Sequence, residues 1–163
     1  MNRNRGYTII DEPRPGSLAR LAVDPLWPFL ALMVGGPWVG LPWFVFNGVA
    51  IGSASLRKEI TWALVALVTQ VAIWSGVIVL VGALGLGKLE LGYLRFVPIV
   101  SMMTWGYVLH FNQARSAQLF VHFGGRLHLG WPLAIGASVA RPWVADALDR
   151  LPSIGIYLRL VLA

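Results

Sequence analysis

The chain has 163 residues, is 57% hydrophobic and only 12% charged, and carries a formal net charge of +6. Soluble domains average about 25% charged residues. One core of this size could not hide so much apolar surface, so the composition excludes an ordinary soluble domain and points to an all-α polytopic membrane protein. Cysteine is absent, which excludes disulfides, thiolate chemistry and cysteine metal sites. The basic residues are scattered between apolar runs, a pattern that fits membrane topology and anionic headgroups rather than nucleic acid.

Residues 1–25 read as a polar tail containing Arg3, Arg5, Arg14 and Arg20 beside Asp11, Glu12 and Asp24. No apolar h-region lies near the start, so no cleavable signal peptide is expected. Asp24-Pro25 has the chemistry of a helix start, an acceptor side chain followed by a proline that suits the first turn.

A transmembrane domain is expected over 26–142. Its first uncharged run, Leu26 to Leu56, holds Pro28, Pro37 and Pro42 among many glycines. Interior prolines remove backbone donors, so the run predicts a kinked first span or two short helices hinged at 35–42. Gly36 and Gly40, and Gly48 and Gly52, are spaced by four and would share a helix face, letting another backbone approach closely. Asn47 beside the second pair would supply a buried polar contact. "SLRKE" at 55–59 reads as a loop. A second span is expected at about 61–83, with Gln70 as its interhelical hydrogen-bonding residue. The glycine-rich stretch 82–92 ends it, and Lys88 and Glu90 mark the connection as interfacial.

A third span is expected at about 94–113, its helical pattern continuing toward Phe123, with Gly124-Gly125 as the stop. His110, Asn112, Gln113 and Arg115 cluster where this helix leaves the apolar run, which makes them candidates for contact with a partner or with lipid headgroups. From Leu127 the uncharged stretch is short, and Arg141-Pro142 interrupts it. A fourth span over about 130–149 requires Arg141 to snorkel or to pair with Asp146. The remainder, 143–163, alternates polar and apolar residues as an amphipathic segment lying at the interface. Counting Lys and Arg over four spans puts both termini on the cytoplasmic side.

No catalytic motif is present. There is no HExxH, GxSxG, phosphate-binding loop or GxGxxG in a strand–helix context. His110, His122 and His128 lack helical pairing and nearby carboxylates, so neither a metal site nor a cofactor is expected.

The stretch "GGPWVGLPWFVFNGVAIGS" at 35–53, taken with "FNQARSAQLFVHFGGRLHLGW" after the third run, resembles a group of small polytopic bacterial inner-membrane proteins with no assigned activity. The shared features are a glycine- and proline-rich first span, an Asn followed by Leu/Ile-Gly, and a Gln-rich exit ending in Gly-Gly, over residues 26–136. The resemblance implies a four-helix membrane architecture and no catalytic residues. The sequence thus leads to the expectation of a multi-pass protein of the bacterial inner membrane, with its N-terminus cytoplasmic and no enzymatic activity. Its partners would be the lipid bilayer and further copies of itself or other membrane subunits, met through helix–helix contacts. A small channel or transporter using the broken first span is the alternative.

Overall fold

The computed structural model describes residue 13, residues 16–85 and residues 92–149. The rest of the polar tail, the loop with Lys88 and Glu90, and the amphipathic segment beyond residue 149 lie outside the described residues.

The described chain is all-helical, with no strand. A 3-10 turn at Ser17–Leu21 leads into α1 (Leu26–Gly35), α2 (Pro37–Ile51), α3 (Leu56–Leu84), α4 (Phe96–His122) and α5 (Trp131–Asp149). At 1.5 Å per residue, α1 and α2 are about 15 and 22 Å long, whereas α3 and α4 are about 43 and 40 Å.

The first uncharged run does not form one crossing. Its two helices meet at Gly36, which adopts φ 80, a conformation that costs glycine nothing and other residues much. Pro37 follows as the first residue of α2, where its missing N–H is harmless. The chain reverses there. Leu32 of α1 faces Gly40 of α2, Ala31 packs with Trp43, and Val23 just before α1 hydrogen-bonds with Asn47 near the end of α2. These pairings nest around residue 36, as in an antiparallel helical hairpin. Of the two expectations for this run, a kinked span or two short helices hinged at 35–42, the chain forms the second, and the two helices begin and end at the same side of the bundle. The Lys/Arg count that assumed a crossing between residues 26 and 52 loses its premise with it.

Asp24 shapes the entry into α1, its carboxylate accepting the Leu26 N–H at 2.8 Å. α3 starts at Leu56, earlier than expected, so that Arg57, Lys58 and Glu59 belong to its first turn and not to a loop. Its buried residues Glu59, Ala63, Ala66, Gln70, Trp74 and Val77 recur every three or four positions on one face. That face packs against α2 and α4, and Leu32, Leu41, Phe44, Ala63, Ala66 and Leu109 form the main core. Gly106 lets α4 approach α1, since a Cβ there would press on Leu32 and Phe29. α5 begins beside the start of α1, with Gly130 against Trp27.

α3 is the one helix among the described residues long and apolar enough to cross a membrane, its best window having a mean hydropathy of 2.4. Only 22% of that window is buried.

Gly40 tests the hairpin. A Cβ at this position would fall on the backbone of Leu32, so Gly40→Ala is expected to cost about 1–3 kcal/mol in detergent unfolding. Gly82→Ala, where nothing lies within 4 Å, is expected to change stability by less than about 0.5 kcal/mol.

Candidate functional site, a buried polar lattice beneath the hairpin

The end of the bundle where α2 stops and α3 starts encloses a group of polar side chains beside a small apolar cluster of Ala22, Ala50, Ile51, Ala117 and Phe120. α2 stops because Gly52 takes a left-handed conformation, φ 70, and its N–H caps the carbonyls of Gly48 and Val49. The following Ser53 and Ser55 then stand beside the first turn of α3.

Asn47 is fully buried. Its Oδ1 accepts the Val23 N–H at 2.8 Å, and its Nδ2 donates to the Val23 carbonyl and to Gln113 Oε1, both at 2.9 Å. Gln113, on α4 and 1% exposed, donates through Nε2 to the Phe44 carbonyl at 2.8 Å and to Glu59 Oε2 at 2.9 Å. Glu59, also 1% exposed, accepts at Oε1 from the hydroxyls of Ser53 and Ser55, the latter at 2.9 Å. The Ser116 hydroxyl of α4 lies 2.9 Å from that of Ser53 and completes the lattice.

The arrangement follows from what burial demands. A buried carboxylate without partners is very costly. Here three hydrogen bonds and the N-terminal end of α3, whose helix dipole favours negative charge, supply the stabilisation. No Lys or Arg among the described residues pairs with Glu59, and the adjacent Arg57 and Lys58 are exposed. Gly48 is needed here because a Cβ would run into the Glu59 carboxylate.

The expected site residues thus separate into different roles. Gly40 and Gly48 are close-approach positions inside the chain. Gly36 does not share a helix face with Gly40, nor Gly52 with Gly48, as their spacing suggested: Gly36 and Gly52 have positive φ, and they serve the reversal and the helix end. Gln70 is buried and donates to the Pro98 carbonyl at 2.8 Å. Its Oε1 has no partner among the described residues, and Gln70 lines a cavity of about 10 Å³ together with Leu32, Pro37 and Trp105.

The cluster read from the end of α4 does not form one contact surface. Gln113 points inward to the lattice. His110 is half-buried, its ring 5.9 Å from that of Phe29. Asn112 and Arg115 are exposed, with Asn112 donating to its own helix at Val108. Successive helical residues are rotated by about 100°, so neighbours in sequence face different surroundings.

Reading 55–59 as a loop hides Glu59 and its partners Ser53 and Ser55. The available signal was the run Glu59, Ala63, Ala66, Gln70, a buried helical face that starts on an acid. Among the described residues no three His, Asp or Glu side chains come together as metal ligands. Comparison with protein-family models, with curated proteins and with solved structures finds no match.

Two substitutions distinguish polarity from shape at Glu59. Glu59→Leu would strand two serine hydroxyls and the Gln113 amide, and is expected to destabilise by about 3 kcal/mol or more. Glu59→Gln keeps an acceptor for Gln113, while the serine hydroxyls can turn to accept from its amide. Its cost is expected to be about 1 kcal/mol. Thermal unfolding of both variants in one detergent makes the comparison.

Proposed function

We propose that this is an integral membrane protein, of a bacterial inner membrane and without enzymatic activity of its own, that acts through helix–helix contacts along α3. It would do so as a homo-oligomer or as a small subunit of a larger membrane assembly. The observation that carries this reading is the exposure of α3. The core helix of a soluble protein is mostly buried, whereas this apolar helix leaves most of its window uncovered. Val65, Val68, Ala72, Gly76, Val79 and Ala83 recur at helical spacing and are all exposed. The small members, with Gly76 open on all sides, permit another helix backbone to come close. The glycines of the first run are not free for such a role, because Gly40 and Gly48 are used within the chain.

In this reading α3, α4 and α5 cross the bilayer. The α1–α2 hairpin enters from one side and returns, its depth of about 15 Å being half the hydrocarbon thickness. Non-helical backbone at such depth is acceptable where protein covers it, and Gly36 is buried. Arg20, Arg57, Lys58, Arg115 and Arg126 gather toward the end that holds the hairpin's base, while Arg95 marks the opposite end. The positive-inside rule then favours the hairpin's base on the cytoplasmic side.

Against catalysis stands the chemistry of the lattice. Glu59 is tied to serine and glutamine, and no histidine hydrogen-bonds to it to complete a nucleophile–base pair. The alternative of a small channel or transporter opened at the break has less support, because Asn47 is fully buried with its amide bonded within the chain.

Single cysteines at Ala72 and Gly76, introduced into this cysteine-free chain, are expected to form oxidative cross-links in native membranes, to a second copy or to another subunit. Gly76→Leu is expected to reduce the assembled fraction several-fold in native mass spectrometry. A monomeric mass, absent cross-links and no effect of Gly76→Leu would sink the proposal.

A further inference from the structure

A second feature lies at the same end as the lattice but outside it. A cavity of about 370 Å³ opens between the Ser17–Leu21 turn, the C-terminal end of α4 and the α4–α5 connection. Cavities that hold small ligands begin at about this size. Its walls carry Arg20, Arg126 and His128, with Phe120 and Phe123 as the apolar lining. Pro13 also lines it, and among the described residues no acidic side chain does. Neither guanidinium has an ion-pair or hydrogen-bond partner among the described residues.

The walls are fixed. The His128 N–H donates to the Ala22 carbonyl at 2.8 Å, and Val23 and His128 form a bridge that ties the connection to the turn before α1. Gly124, at φ 88, reverses the chain after α4. Gly125 lies so close to the Phe120 ring that a Cβ would overlap it. Two arginines without a partner among the described residues are thus brought to one opening from segments more than a hundred residues apart in sequence, Arg20 and Arg126. The exposed apolar side chains of Leu21 and Phe123 flank this end of the fold, and Trp27 and Trp131, of the type that sits at headgroup level, stand at the starts of α1 and α5.

From this arrangement we infer that the cavity binds a phosphate-bearing ligand, with the phosphate held between Arg20 and Arg126 and the apolar part against Phe120 and Phe123. Guanidinium groups match phosphate oxygens with paired donors, and basic pockets at the cytoplasmic ends of membrane helices suit anionic headgroups. The phosphate could come from an anionic phospholipid or from free phosphate in solution. The inference takes from the proposed function only that this end meets a membrane surface, and it does not depend on self-association along α3.

The test uses the full chain in detergent. Native mass spectrometry with added phosphatidylglycerol is compared with added phosphatidylcholine, and isothermal titration with inorganic phosphate forms the second arm. Wild-type protein is expected to retain phosphatidylglycerol over phosphatidylcholine, and Arg20→Gln with Arg126→Gln to lower that retention about tenfold. Arg57→Gln with Lys58→Gln removes the same charge from the same end, and is expected to leave retention unchanged. If lipid is not retained but inorganic phosphate binds and the Arg20/Arg126 variant abolishes it, the site holds and its ligand is soluble. Equal loss in both double variants, or loss in neither, overturns the inference.

Discussion

The amide of Asn47 does for Val23 what a neighbouring strand would do: it accepts from the backbone N–H and donates to the backbone carbonyl. Val23 lies just ahead of α1, and its backbone groups have no helix to join. In a buried setting each would cost free energy comparable to a lost hydrogen bond. One side chain near the end of α2 removes both costs and closes the hairpin at its base. Its remaining donor reaches Gln113, so the hairpin becomes attached to α4. Gln113 then carries the connection on to Glu59 and the start of α3. Three helices and an extended segment are held in register by side chains whose polar groups cannot be left alone.

In the proposed membrane setting this lattice lets the apolar elements remain so little covered. α3 and α4 are long and present exposed valine, leucine, isoleucine and aromatic side chains along most of their outer faces. In water such surfaces would drive collapse or aggregation. In lipid the hydrophobic drive between helices disappears, and close packing and polar contacts take its place. The small residues Gly40, Gly48, Ala63, Ala66 and Gly106 provide the first. The lattice provides the second, at the end of the bundle where helix termini are most numerous.

Much of the fold was legible in the sequence. The break at 35–42, the stop at Gly124-Gly125 and the helix near 131–149 all follow from glycine, proline and uncharged length. Asn47 was identified as a buried polar contact because an amide in an apolar run has few other uses. The direction of the chain after the break was not legible. Spacing by four places Gly36 with Gly40 on paper, but a positive φ at Gly36 is a property of the turn and leaves no pattern in neighbouring residues. Glu59 was obscured by Arg57 and Lys58, since three charges in a row read as solvent-exposed. Only the partner side chains, Ser53 and Ser55 before it and Gln113 far along the chain, show that the acid is internal. Arg20 and Arg126 are likewise too distant in sequence to suggest a shared cavity.

The lattice also sets an order on biosynthesis. Val23 and Asn47 are separated by 24 residues, whereas Asn47 and Gln113 are separated by 66 and Glu59 and Gln113 by 54. As the chain leaves the ribosome, the hairpin can close its own base while α4 does not yet exist. From then until Gln113 emerges, one proton of the Asn47 amide and one oxygen of Glu59 must be served by water or by another partner. In the proposed membrane setting the hairpin stays near the aqueous boundary during synthesis, and the arrival of α4 is the event that seals it.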